Sequence, residues 1–306
     1  RVTPAAAMNS TRYFPTVRGE VRRHELMAQH TSWRVGGQAD YYFCPCDRND
    51  LSQFLQVLPL ETPLLWVGLG SNLLVRDGGF RGAVICCHGG LSQLTQLQDH
   101  GVVAEAGVAC AKVARFCARA GFAGAEFLAG IPGTLGGALA MNAGAFGSEI
   151  WDIVVQVELI SRDGRVQQHP AGVFKTGYRW VELLPDHWFV GVTLKLARGT
   201  EDKGRQRIRS LLVERSAKQP IQASSAGSVF RNPAGDHAAR LIDQAGLKGF
   251  KVGGAMVSHQ HANFIINSGN ACAGDIEKLI ECIQTRVKVK FGILLETEVR
   301  IVGDRL

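Results

Sequence analysis

Two runs of bare backbone carry the first chemical suggestion in this sequence. One is GLGSNL, residues 68–73, and the other is GAEFLAGIPGTLGGALAMNAGAFG, residues 124–147. Glycine allows positive φ and lets another group approach the main chain closely, at an entropic cost in folding. A long stretch of it among small side chains suits a loop whose N–H groups cradle an anion. The short run alone reads equally well as a tight structural turn. Together, one with Ser71-Asn72 and the other with Thr134 and Asn142, they predict a pyrophosphate cradle split between two loops. The common nucleotide fingerprints are absent: Leu73 stands where GxGxxG needs its third glycine, and no GxxxxGK precedes a Ser or Thr. His259 and His261, in SHQHANF, invite a metal reading, since i,i+2 spacing on a strand puts two imidazoles on one face. No third ligand accompanies them, and no metal is expected.

Several elements must hold these loops. Strands are expected at 39–43, 64–68, 83–87, 101–108, 153–161, 188–196 and 263–267, and helices at 51–58 and 110–120, the latter closed by Gly121. Asp163-Gly164 signals a hairpin. From about residue 204 the texture becomes more helical, with helices expected from 204 to just before Pro220, over AARLIDQAG and over DIEKLIECIQTRVKVKFG. In the last, Ile276, Leu279, Ile280, Ile283 and Val287 form one apolar stripe. The terminal LETEVRIVG (295–303) reads as a strand with Glu296, Glu298 and Arg300 on one face and Leu295, Thr297, Val299 and Ile301 on the other. The expected organisation is a first lobe over 1–75, a second over 76–203 and a smaller α/β domain over 204–306.

Composition bounds the setting. The chain has 306 residues, 46% of them hydrophobic and 20% charged, which suits a globular enzyme of more than one domain. No apolar run approaches the roughly 18–20 residues that span a bilayer, and the first residues lack the apolar core of a secretory signal. The sequence opens on Arg1, and Met8 is the expected native start. The eight cysteines show no CxxC pair and no metal-ligand spacing, so reduced thiols in the cytoplasm are expected. The net charge of +7 comes from scattered residues rather than the dense basic stripe of a nucleic-acid binder.

Six segments in order, WRVGGQAD, GLGSNLLVRDGGFRG, GIPGTLGGALAMNAGAFG, GYR, SAGSVFRNP and LETEVRIVG, span nearly the whole chain. In this combination the sequence resembles the UDP-N-acetylenolpyruvoylglucosamine reductases, bacterial enzymes of peptidoglycan-precursor synthesis. The resemblance implies an α+β fold: a two-lobed FAD-binding region of the vanillyl-alcohol oxidase type, then a C-terminal domain covering a UDP-sugar. It implies non-covalently bound FAD, NADPH as hydride donor, and reduction of an enolpyruvyl ether to a lactyl ether in the cytoplasm. The flavin contacts it implies are Gly68, Gly70, Ser71, Asn72 and Leu73 in one loop and Gly133, Thr134, Gly136, Gly137, Asn142 and Gly144 in the other, with Val35, Gly36 and Gly37 assisting.

Hydride delivery to C3 of the enolpyruvyl group leaves negative charge at C2 beside a carboxylate, so the reaction needs a cation there and a proton donor at C2. By resemblance Arg179 meets the carboxylate, Ser228 gives the proton, and Glu298, directly before Val-Arg, acts with Arg179 on the developing anion. Tyr178, Arg231, Asn232, Gln260 and His261 are the implied substrate contacts. Without the resemblance, Arg179 reads as a surface hairpin residue, Ser228 as a turn serine, and Glu298 with Arg300 as a surface ion pair. The family often has a serine two residues after its arginine, where this chain has Val181. The stretch from Arg179 to Ser228 is short, as expected of the compact class without a substrate-clamping insertion. Two other readings fit the glycine loops alone: an FAD-dependent oxidase of a small alcohol or sugar, and a nucleotide-binding scaffold without catalysis.

Overall fold

The computed structural model describes residue 14 and residues 16–306. The expected start at Met8 lies outside the described residues. Among the described residues, the first lobe contains β1 (Glu20–Leu26), β2 (Gln38–Cys44), α1 (Arg48–Val57), β3 (Leu64–Val67), β4 (Leu73–Val75) and β5 (Phe80–Cys86). Its sheet runs in the order β1-β2-β5-β3, with β1 antiparallel to β2 and β5 parallel to both of its neighbours. Helix α1 begins ahead of its apolar periodicity because Asp47 caps it, accepting from Asp50 N at 2.9 Å. Leu51, Phe54 and Leu55 then bury against Phe43, Ala83 and Ile85 of the sheet. The expected division at residue 75 falls between β4 and β5, yet the first sheet continues to Cys86 through β5.

The second lobe contains β6 (Leu94–Gln96), β7 (Gly101–Glu105), α2 (Cys110–Arg119), α3 (Leu135–Ala140), β8 (Val154–Ser161), β9 (Val166–Pro170), β10 (Thr176–Gly177), β11 (Trp180–Val181) and β12 (His187–Lys195). Its main sheet, β9-β8-β12-β7-β6, is antiparallel throughout. Asp163-Gly164 closes the β8–β9 hairpin, with Gly164 at φ +82°. Cys110, Val113 and Cys117 of α2 sit in the core beside Leu135 and Leu139 of α3. Helix α4 (Glu201–Lys218) also belongs to this body. Its Gly204 lies against Ala118 of α2 so closely that a Cβ would approach the Ala118 Cβ to 2.8 Å, and its Ile208 enters the second lobe's core. The packed second lobe therefore extends past residue 203.

The remainder is smaller: α5 (Ala238–Gln244), β13 (Lys251–Val252), β14 (Ala255–Val257), β15 (Ile265–Asn267), α6 (Ala273–Phe291) and β16 (Arg300–Val302). The α6 stripe Ile276, Leu279, Ile280, Ile283 and Val287 is buried, and Gly292 ends the helix at φ +73°. Three ties lock this region to the first lobe. Trp33 is fully buried in its core and donates from Nε1 to Ile265 O at 2.7 Å. Asp77 accepts from Ala273 N and Gly274 N at the start of α6, at 2.9 and 2.8 Å. Strand β16 pairs parallel with β4. The architecture is α+β, two lobes followed by a smaller α/β region, as the sequence implies.

One element differs from expectation. Residues 295–303 are not one strand: Thr297 makes an isolated bridge to Phe230, and the ladder to β4 starts only at Arg300. The segment changes partner part-way, so the expected alternation breaks. Glu296 is exposed while the Glu298 side chain turns inward.

Candidate active site

The two glycine loops meet in space. A Cβ on Gly68 would lie 2.3 Å from Thr134 Oγ1, so the first loop rests directly on the second. They line a cavity of about 890 Å³ whose wall includes Gly68, Gly70, Ser71, Asn72, Leu73, Gly133, Thr134, Gly137 and Gly144, and also Arg179, Ser228, Arg231 and Glu298. Residues far apart in sequence thus converge on one cleft.

Arg179 sits in the two-residue turn joining β10 to β11, at φ +57°. Few side chains other than glycine adopt this left-handed conformation, and it is held here by its surroundings. Its guanidinium donates from Nε to Glu298 Oε1 at 3.1 Å, from Nη2 to Gly144 O at 3.1 Å and from Nη1 to Asn142 O at 3.4 Å. Both partners of the ion pair are largely buried, at 18% and 11% side-chain exposure. Burial pushes the Glu298 carboxyl above its ordinary value, while Arg179 and Arg231 pull it down. Arg231 donates from Nη2 to Arg179 O at 3.3 Å, and its buried Nε has no hydrogen-bond partner among the described residues.

Ser228 is carried by the backbone opposite Glu298. Val229 O accepts from Glu298 N at 2.8 Å, and the buried Asn263 side chain clamps Phe230 through both its N–H and its carbonyl. Asn72 donates from Nδ2 to Glu298 O at 3.1 Å, so the first glycine loop also fixes the glutamate's backbone.

Other residues singled out in the sequence lie elsewhere. Val35 is in the C-terminal core, and a Cβ on Gly37 would strike Asp77 O at 2.2 Å, so this pair serves a close chain crossing; Gly36, at φ +126°, packs on Val75. Gly136 presses on Ala106. Asn142 is buried, off the cavity wall. Tyr178 is exposed, with its ring 5.2 Å from the Arg179 guanidinium carbon. Asn232 accepts from Ala238 N at the start of α5, and Gln260 donates to Ser216 O and Ala217 O at the end of α4. His259 and His261 lie in a turn rather than on a strand, because Phe264 N bonds back to His261 O. Burial, with help from Lys248, lowers the His261 pKa.

A family model described as the UDP-N-acetylenolpyruvoylglucosamine reductase C-terminal domain matches residues 219–302, and an FAD binding domain model matches residues 39–169. The UDP-N-acetylenolpyruvoylglucosamine reductase of Methylococcus capsulatus is 55% identical over 94% of this chain and 94% of its own. That of Legionella pneumophila (strain Corby) is 49% identical over 94% of this chain and 93% of its own. The crystal structure of UDP-N-acetylenolpyruvylglucosamine reductase from Thermus caldophilus superposes with a TM-score of 0.80 at 34% identity, covering 94% of this chain and 99% of that one. This chain belongs to the UDP-N-acetylenolpyruvoylglucosamine reductase family.

The cavity fits the FAD of this reductase family. A Cβ on Gly133 would meet nothing nearer than Ser71 Oγ at 3.4 Å, and one on Gly137 nothing nearer than Thr134 Oγ1 at 3.9 Å. At both positions the room left by the missing side chain is cavity rather than protein, as a bound pyrophosphate or ring requires. The volume lies within the roughly 300–1,000 Å³ range of small-molecule sites. The sequence reading missed Arg215 and Lys218, which reach the cavity wall from α4. Their signal was the Glu214–Lys218 pair at i,i+4 spacing beside Arg215, indistinguishable in sequence from a solvated helix face.

Proposed function

We infer that this chain reduces the enolpyruvyl ether of UDP-N-acetylglucosamine-enolpyruvate to the lactyl ether of UDP-N-acetylmuramate, with NADPH as reductant and FAD as cofactor. The observation that carries the reading is a single cleft lined by two glycine loops, the Arg179–Glu298 pair and Ser228. Gly68, Gly70, Ser71, Asn72 and Leu73, with Gly133, Thr134, Gly137 and Gly144, would hold FAD. Gly136 packs the second loop on Ala106, whereas Val35, Gly36, Gly37 and Asn142 lie off the cavity wall. When bound, FAD relays hydride from NADPH to substrate C3.

The protein's own groups handle the other end of the double bond. Arg179 meets the substrate carboxylate with a fixed, bidentate charge. An arriving carboxylate also adds a like charge near Glu298 and raises its proton affinity further. Protonated Glu298 then donates a hydrogen bond to negative charge developing at C2 and the carboxylate. Ser228 supplies the proton that C2 takes up. Arg231, which lines the cavity beside Arg179, would meet the same substrate, with Tyr178, Asn232, Gln260 and His261 as the further contacts that the family resemblance implies.

Among the described residues no helix is long and apolar enough to cross a membrane. We propose the cytoplasm as the site of action, where NADPH and nucleotide-sugar precursors are found. The test is anaerobic mixing of holoenzyme, NADPH and the enolpyruvyl UDP-sugar. Nicotinamide absorbance should fall one-for-one with the sugar reduced. No loss of NADPH, or oxygen consumption driven by an alcohol without NADPH, would overturn the reading.

A further inference from the structure

Asn142 does not face the cavity, yet every polar atom of its side chain is used. Its Nδ2 donates to Glu149 Oε2 at 2.7 Å and to Gly177 O at 3.0 Å, and its Oδ1 accepts from Trp151 N at 3.4 Å. Gly177 is the last residue before the turn that carries Arg179. The Asn142 carbonyl receives Arg179 Nη1. Asn142 is itself left-handed, at φ +46°, a conformation that asparagine tolerates better than most residues. Arg179 is therefore gripped twice by one residue: at its guanidinium by the Asn142 carbonyl, and at the base of its turn by the Asn142 amide.

We propose that Asn142 is a positioning residue for Arg179, anchored by Glu149, and that it sets the Arg179 side chain against the substrate carboxylate. The inference rests on the reductase reading above. The turn has no glycine at Arg179 to make φ +57° easy, so the strained conformation depends on external bonds. Asn142 reaches the turn's base at Gly177 O, and Arg231 reaches the turn at Arg179 O, both from other parts of the chain. Glu149 is fixed in turn, its N–H donating to Asp152 Oδ2 at 2.8 Å. The charged groups around the Asn142 amide are thus Glu149 and Asp152 on one side and Arg179, paired with Glu298, on the other. The arrangement also ties the second glycine loop to the substrate-binding arginine, so flavin and carboxylate sites are held in one frame.

The test uses two substitutions and two readouts on the holoenzyme. Asn142→Asp keeps the shape and the tolerance of positive φ but presents an acceptor to Glu149 Oε2 and Gly177 O. Asn142→Gly keeps the backbone and deletes the bonds. Both should reduce flavin with NADPH at wild-type speed and then transfer to the enolpyruvyl sugar about 10–100-fold more slowly, as a misplaced binding group does. Measured against the wild type at each pH, Asn142→Asp should recover as pH falls from about 8 to about 6, because the introduced carboxyl beside Glu149 takes up a proton and donates again; Asn142→Gly should keep the same deficit throughout. Amide hydrogen exchange without substrate should speed up about tenfold or more across residues 176–181 in both variants at pH 8 and stay unchanged across 68–73. Exchange reads the positioning even if the sugar proves not to be the substrate, which would sink the reductase reading alone. Wild-type exchange in 176–181, transfer within twofold of wild type, or equal slowing of both half-reactions would each overturn the proposal.

Discussion

Arg179 offers a fixed charge to a partner whose own charge is adjustable, so the two members of the 3.1 Å pair should fail differently. Arg179→Lys keeps the charge but loses the planar fork that spans Glu298, Gly144 O and Asn142 O, and should slow the oxidative half-reaction about tenfold or more while NADPH still reduces the flavin normally. Stopped-flow of the two half-reactions checks this. Glu298 has its proton affinity raised by burial, so the native state holds that proton more tightly than the unfolded chain. Its contribution to stability is present at low pH and lost as pH rises through the native value. If the protonated carboxyl assists at C2, the oxidative rate falls over the same rise. Glu298→Gln should be slower at low pH and nearly flat across that window. A Glu298→Gln profile parallel to the wild type would move the titrating role to another group.

At the level of elements, the junction of first lobe and C-terminal region is open to measurement. Asp77 caps α6 from 196 residues away in sequence, through two backbone N–H bonds. Asp77→Ala should lower stability by about 1 kcal/mol, read as a shift in urea midpoint without a change in slope. The elements were legible where periodicity was undisturbed: the stripe of α6, the three central strands of the second sheet and the capping glycine after α2. They were not legible where a segment answers to two partners. Residues 295–303 alternate like a strand, but Thr297 pairs with Phe230 and Arg300 with Leu73, so the regular spacing gave the wrong face for Glu296. The strand geometry that would face both histidines of SHQHANF one way is absent, because a turn closes between His261 and Phe264 that nothing local announces. In the sequence Asn142 reads as part of the flavin cradle. Its bonds to Glu149 and Gly177 are tertiary and leave no trace in spacing. The cavity-facing side of α4 was silent for the same reason.

For the whole molecule, the proposed function divides labour between the two-lobed body, which would cradle FAD, and the C-terminal region, which contributes Ser228 and Glu298 to the same cleft. FAD held by backbone N–H groups and small residues should leave intact when the protein is denatured by acid or heat; flavin that stays with the precipitate would mean a covalent link. The same division says that flavin reduction and substrate reduction can be separated by a change in the C-terminal region alone. Ser228→Ala tests this most directly, followed in stopped-flow with NADPH first and the enolpyruvyl UDP-sugar second. A positioned proton donor is worth about 10²–10⁴ in rate, so flavin should bleach with NADPH at near wild-type speed and then recover its colour with the sugar slower by that factor. Recovery within a few-fold of wild type would contradict the account and return Ser228 to the role of a turn residue.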